Sequence, residues 1–242
     1  MRLEIFRTLW GYRGSWQQAL DEALGAGFDG LEARIPETAA QRAINARLLR
    51  EQNVPYIATL FTSTPVLPRQ SDSPQVHLED LRMKLDWAAE LGPRLVNVLP
   101  GNDRWALSEQ VDFFARAVEL ADASGLKVCF EIHRGRSLYS PWVTLDVIRQ
   151  VPELRFTSDI SHWLVTCERL LDDPADDLSA FIERVDHIQA RVGYDQGPQV
   201  PHPGAPEYAE VLAFHQRHWE SIWSSQEKRG LQAFMDAGCS SC

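Results

Sequence analysis

A glutamate and a histidine stand two residues apart where an apolar run gives out, in Lys127-Val128-Cys129-Phe130-Glu131-Ile132-His133-Arg134-Gly135-Arg136. Side chains alternate along a strand, so Glu131 and His133 point to one side. A carboxylate and an imidazole at a strand end suit a metal site or an acid–base pair, and equally a salt-bridge cluster on a loop. Other strand ends decide between these. Glu32 and Arg34 close an early run; Asn97 lies on a later one, with Asn102, Asp103 and Arg104 just beyond. Asp159 ends another, with His162 three residues on, and His187, Gln189 and Arg191 share one parity on the last. Glu131, Asp159 and an imidazole from the last strand form a mixed oxygen and nitrogen set suited to Mn²⁺, Mg²⁺, Co²⁺ or Zn²⁺. No thiolate joins them, which argues against a closed structural zinc site. Arg134, Arg136 and Arg191 suit anionic or hydroxyl groups of a substrate, and Glu32, Asn97 and His133 complete a polar substrate-facing wall.

These residues need a scaffold that brings many strand ends together. Strand patterns cover residues 3–10, 28–35, 54–63, 94–100, the run from 127, 154–158 and 186–192. Helical periodicity covers 15–27, 38–53, 77–92, 107–125, 141–151, 176–185 and 206–230, with Ser15 placed to cap the first and Gly27 to close it. Seven strand-then-helix units in unbroken order argue for one parallel α/β domain. A doubly wound nucleotide fold would place a glycine-rich phosphate loop after its first strand. That position holds Thr8-Leu9-Trp10-Gly11-Tyr12-Arg13-Gly14, which lacks the G-x-G-x-x-G spacing. Polar residues gather instead at the C-terminal ends of strands, where (β/α)8 TIM barrels build their active sites. The expectation is a barrel over residues 1–230 and an atypical tail over 231–242, so that the eighth strand is incomplete or altered.

Composition narrows the partners. The 242-residue chain carries 24 Lys and Arg against 34 Asp and Glu, a formal net charge of −10, which argues against a general nucleic-acid binder. No apolar run approaches the roughly 20 residues of a membrane helix, and Met1-Arg2-Leu3-Glu4 leads directly into a strand pattern without a signal-peptide core. A cytoplasmic protein with a small-molecule substrate is expected. Of the four cysteines, Cys129 and Cys167 lie in apolar settings, while Cys239 and Cys242 form a C-x-x-C at the end that reads as a free tail. His77, His215 and His218 fall on helices and read as solvated or locally satisfied; the aromatic residues of 214–223 read as helix packing.

Several stretches together resemble the xylose isomerase-like barrel superfamily of sugar-phosphate isomerases and epimerases, hydroxypyruvate isomerase and endonuclease IV. They are Gly30-Leu31-Glu32, Phe130-Glu131-Ile132-His133-Arg134-Gly135-Arg136, Asp159-Ile160-Ser161-His162-Trp163 and His187-Ile188-Gln189-Ala190-Arg191-Val192-Gly193. The resemblance spans about residues 1–230. It implies a divalent metal held by Glu131 and Asp159, with His162 touching substrate or metal. It also implies that Glu131 moves a proton next to a carbonyl polarised by the ion. Two departures stand out. Where the superfamily carries His-x-His on strand 7, this chain has His187-Ile188-Gln189, so the ligand position holds Gln189, and His187 lies about 6–7 Å back along the strand. The superfamily's last Glu belongs to strand 8, and residues 231–242 contain no Glu and no β-branched residue.

The resulting expectation is a metal-dependent isomerase or epimerase of a small sugar, sugar phosphate or hydroxy-keto acid. Glu131 and His162 are its catalytic residues, and Glu131, Asp159, His187 and Gln189 its metal set. The alternative is a barrel without catalysis that binds a small ligand or a partner. A metal-dependent phosphodiester hydrolase of the endonuclease IV type is a lesser alternative, because the early strand ends around residues 61–64 and 97–101 carry no His. A missing eighth strand would leave an edge open to a second copy of the chain.

Overall fold

The computed structural model describes residues 2–63, 66–231 and 233–236. The strands are β1 (Leu3–Thr8), β2 (Gly30–Arg34), β3 (Tyr56–Phe61), β4 (Leu95–Leu99), β5 (Val128–Glu131), β6 (Phe156–Ser158), β7 (Val185–Gln189) and β8 (Ala233–Asp236). The helices are α1 (Trp16–Gly25), α2 (Ala39–Gln52), α3 (Pro74–Leu91), α4 (Leu107–Ser124), α5 (Pro141–Gln150), α6 (Ser161–Cys167), α7 (Ser179–Ile182) and α8 (Ala209–Lys228). All strands pair in parallel and in chain order, and β8 closes the cylinder against β7 and β1. The chain is therefore a (β/α)8 barrel. No described helix is long and apolar enough to cross a membrane.

The eighth strand, only four residues long, lies in the segment beyond residue 230. Four residues suffice to close the ring, because Ile188 and Gln189 of β7 pair with Met235 and Asp236 while Leu3 to Phe6 of β1 pair along the other side. The strand is short and lacks β-branched residues, which is why pattern reading gives no signal for it. The expected open edge between β7 and β1 is filled. Cys239 and Cys242 lie outside the described residues.

Two connections depart from the sequence pattern. Helix α6 starts two residues after Asp159 and is only seven residues long, too short to show a period. The helix expected over 176–185 shrinks to α7, because aspartates upstream bond to the backbone instead. Asp173 Oδ1 accepts from the Ala175 amide at 2.8 Å, and Asp177 Oδ1 from the Ser179 amide at 3.0 Å. Elsewhere the terminus chemistry holds. Ser15 Oγ accepts from the Gln18 amide at 3.2 Å, and Gln18 returns the bond to the Ser15 amide at 2.9 Å.

The main core lies between barrel and helices, and a second cluster of Phe6, Ile57, Leu95 and Cys129 is formed by strand residues alone. Gly30 shows how tightly the strands fit. A Cβ there would lie 2.4 Å from the Pro55 carbonyl oxygen and 2.6 Å from the Phe6 ring, so the residue two before Glu32 must be glycine.

Arg136 is fully buried and corrects its expected role in substrate binding. Its guanidinium donates to the carbonyl oxygens of Thr62 at 2.8 Å, Val66 at 2.8 Å and Gly101 at 3.4 Å. It ties the loops after β3 and β4 to the one after β5, and burial lowers its pKa to about 10. Replacing Arg136 by Met leaves those buried carbonyls without donors and is expected to cost roughly 3 kcal/mol or more. Urea denaturation measures this, and an unchanged midpoint would remove the strut role.

Candidate functional site

The C-terminal mouth of the barrel holds a cavity of about 240 Å³. Its polar wall is Thr8, Glu32, Thr59, Glu131, His133, Asp159, His162, Gln189, Arg191 and Gln199, and its apolar wall is Trp10, Phe61 and Leu99. Parallel register delivers these groups to one level, with Glu32 paired beside Thr8, Thr59 beside Asn97 and Glu131 beside Thr157.

Three carboxylates, Glu32, Glu131 and Asp159, are buried around this mouth. Asn97, fully buried on β4, serves two of them. Its Nδ2 donates to Glu131 Oε2 at 2.6 Å and to Glu32 Oε1 at 3.2 Å. Glu32 Oε1 also accepts from Gln189 Nε2 at 2.6 Å and Thr59 Oγ1 at 3.0 Å. Asp159 is bound by the Arg191 guanidinium and by Ser161 Oγ.

His162 sits on the first turn of α6. Trp163, the next residue, is fully buried against Phe181 at 4.7 Å between ring centroids, and its Nε1 donates to the Leu138 carbonyl at 3.1 Å. That anchor fixes the turn bearing His162. The His162 ring lies 3.8 Å from that of His133, centroid to centroid. His162 Nε2 is 2.6 Å from Arg191 Nη2, and an arginine only donates, so Nε2 accepts and the ring proton falls to Nδ1. In His133, Nδ1 lies 2.6 Å from the Arg134 carbonyl oxygen and must donate to it, which leaves Nε2 as the lone-pair nitrogen.

Among the described residues Glu131, His133 and His162 form a group whose ligand atoms lie within 4.8 Å of one another. Two neutral imidazoles and a carboxylate fit Zn²⁺, Mn²⁺ or Co²⁺. His162 Nδ1 is buried with no partner; it carries the ring proton while Arg191 holds Nε2, so an ion would have to take Nε2 in place of Arg191. The set keeps Glu131 from the sequence expectation and differs in its other members. Asp159 lies 3.4 Å from His162 Nε2 but is tied to Arg191. Gln189 turns its amide to Glu32. His187, two residues deeper in the barrel, has Nε2 3.3 Å from Glu32 Oε2 and Nδ1 3.2 Å from Thr157 Oγ1. Arg134 is exposed at the rim.

The electrostatics follow from burial. Glu131 is pushed up to about 8, by desolvation first and then by the Asp159 charge, with the Asn97 hydrogen bond pulling the other way. His133 is held well below the usual imidazole value by burial and by His162, and His162 by burial and the Arg191 charge. Both rings are thereby kept neutral; His133 keeps a free lone pair at Nε2, while that of His162 is held by Arg191.

Sequence reasoning missed Trp10, Phe61, Thr8, Thr59, Leu99 and Gln199. Strand parity held a signal for some of them, since Phe61 and Leu99 are register partners at the ends of β3 and β4. His77, His215 and His218 are buried rather than solvated. His77 Nδ1 meets Thr62 Oγ1 at 2.7 Å, His215 Nε2 accepts from the Gly193 amide at 3.2 Å, and His218 Nε2 meets Ser158 Oγ at 3.0 Å.

A profile of the family described as xylose isomerase-like TIM barrel matches residues 20–204. Solved structures share the fold at low identity. The probable 3-DHS dehydratase AsbF from Bacillus anthracis superposes with a TM-score of 0.67 at 14% identity, covering 98% of this chain and 93% of that one. D-allulose 3-epimerase from Methylomonas sp., in complex with D-allulose, gives 0.65 at 18%, covering 97% and 83%. The IOLI protein with a binding zinc atom gives 0.62 at 13%, covering 98% and 88%. No curated protein matches the sequence at a significant level.

The Glu131 shift carries a stability signature in metal-free protein. The unfolded carboxyl ionises near 4.5 and the folded one near 8, so the folded state is the better proton binder between them. Stability is expected to fall as pH rises through that window and to level off above it. Thermal melts in chelator should show wild type losing ground to Glu131→Gln from about pH 5 to about pH 8, and added Mn²⁺ or Zn²⁺ should restore wild type alone. Parallel curves for the two proteins would contradict the shift.

Proposed function

The chain belongs to the xylose isomerase-like TIM-barrel family, and on that premise we propose that it is a divalent-metal-dependent isomerase or epimerase. Its substrate is a small sugar, sugar phosphate or hydroxy-keto acid, and the reaction moves a proton at a carbon next to a carbonyl. The observation that carries this reading is Glu131, buried at a strand end, lifted to about 8 and grouped with His133 and His162 beside a cavity.

A divalent ion bound by Glu131, His133 and His162 would polarise the substrate carbonyl and make the neighbouring C–H acidic. The remaining work falls to side chains. Asn97 holds Glu131 Oε2 and leaves Oε1 for the cleft, where it would take a proton from one carbon and deliver it to the neighbouring former carbonyl carbon, the isomerase outcome; epimerisation would need the proton returned to the opposite face. The lift to about 8 belongs to the protein without a cation; an ion beside Glu131 would favour its carboxylate, the form that acts as a base at neutral pH. Arg191 and Asp159 orient His162. Glu32 and Gln189, already hydrogen-bonded to each other, present polar edges for hydroxyl groups. Trp10, Phe61 and Leu99 supply the apolar wall that limits water.

One observation favours a second reading, a barrel that binds a ligand without turnover. Gln189 stands where the resemblance implies an imidazole, and its amide is committed to Glu32. Incubating the metal-loaded protein with ketoses in D₂O and following proton exchange by NMR separates the two. The isomerase reading expects exchange that falls about 10²- to 10⁴-fold in Glu131→Gln, together with a bindable divalent ion by elemental analysis. Ligand-dependent thermal stabilisation with no exchange would support the second reading, and absence of any bindable ion with Glu131→Gln unchanged would sink the first.

A further inference from the structure

The mouth has a second chamber. A cavity of about 490 Å³ adjoins the first and shares Thr8, Trp10, Glu32 and Thr59 with it, and Arg34 lines it. Arg34, the last residue of β2, lies with its guanidinium carbon 4.5 Å from the Trp10 ring centroid and 4.8 Å from that of Phe61. The two rings stand 6.1 Å apart at 46°. Stacking of this kind engages the face of a guanidinium and leaves its in-plane N–H donors free.

Those donors have no carboxylate or carbonyl partner among the described residues, which sets Arg34 apart from the other arginines considered for the site. Arg191 is engaged by Asp159, Arg136 by backbone carbonyls, and Arg134 is no part of either cavity's lining. Arg34 is exposed to the cleft with the two rings beside its head, contacts that reduce the freedom it loses on meeting a ligand.

We propose that Arg34, held by Trp10 and Phe61, is the anchor for an anionic group of the substrate, a carboxylate or a phosphate. The reacting end of that substrate lies in the first chamber at Glu131 and its anionic end in the second. This rests on the isomerase or epimerase reading and narrows it, because a neutral sugar would leave the fork unused. Trp10 borders both chambers and offers its ring to the carbon chain between the two ends.

Isothermal titration of Mn²⁺-loaded protein with D-ribulose, D-ribulose 5-phosphate and D-ribonate tests it, in wild type, Arg34→Gln and Arg34→Lys. At least one anion is expected to bind wild type about 10-fold or more tighter than ribulose, as a charge-assisted bidentate pair allows. The tighter anion identifies the source as phosphate or carboxylate. Arg34→Gln should bring the ligands level, and Arg34→Lys should recover part of the difference. Equal binding of all three by wild type, or an anion preference that survives in Arg34→Gln, overturns the proposal; the latter would place the anion on the metal. The two readings fail separately. Arg34-dependent anion preference without proton exchange defeats only the isomerase reading, and exchange without that preference defeats only this one.

Discussion

Three acids buried at one end of a barrel set the terms for everything around them. Glu32, Glu131 and Asp159 come from β2, β5 and the end of β6, and at neutral pH three charges in so little water would repel strongly. The structure resolves the conflict in three different ways. Asp159 is given a counter-charge in Arg191. Glu32 is surrounded by neutral donors from Thr59, Asn97 and Gln189. Glu131 receives the least compensation and retains its proton to about 8. The acid left least satisfied is the one grouped with two neutral imidazoles.

The same economy of partners explains the walls. Arg136 holds three loops through their carbonyl oxygens, so the rims after β3, β4 and β5 are fixed without side chains reaching into the cleft. Gly101, at φ +66°, makes this joint possible, since a Cβ there would lie 2.1 Å from Ser137 Oγ. On the opposite side His215 accepts from the Gly193 amide, pinning the segment just after Arg191 to helix α8. The histidines of the outer layer are thus structural, and burial lowers His77 to about 4 and His218 to about 3. Their neutrality adds a loss of stability on the acid side, as pH falls below the unfolded imidazole value of 6.5.

Much of this was legible in the chain, and the limits have physical causes. Alternation of strand and helix gave the barrel, and strand-end chemistry gave Glu131, Glu32, Asn97, Asp159 and Arg191 as neighbours. The grouping of Glu131 with His133 and His162 was not legible, because it depends on which of several partners each side chain selects. Asp159 pairs with Arg191 and Gln189 with Glu32, choices that strand parity does not reveal. Strand β8 escaped because four residues fix no period, and their pairing is imposed by β1 and β7. Helix α6 escaped for a similar reason, since its place is fixed by the burial of Trp163. Trp10 and Phe61 were overlooked because aromatic residues read as core until a cavity is seen beside them.

Asn97 joins two of the buried acids. A single amide nitrogen donates to both Glu131 and Glu32, so neither acid can be altered without changing the bond available to the other. The two glutamates form one thermodynamic unit joined by a shared donor, and substitutions at 32, 97 and 131 will not add. Loss of either acid frees the amide to favour the survivor, so single replacements understate what the pair contributes together. Drift at any one of these three positions is therefore constrained by the other two, across strands that lie far apart in the chain.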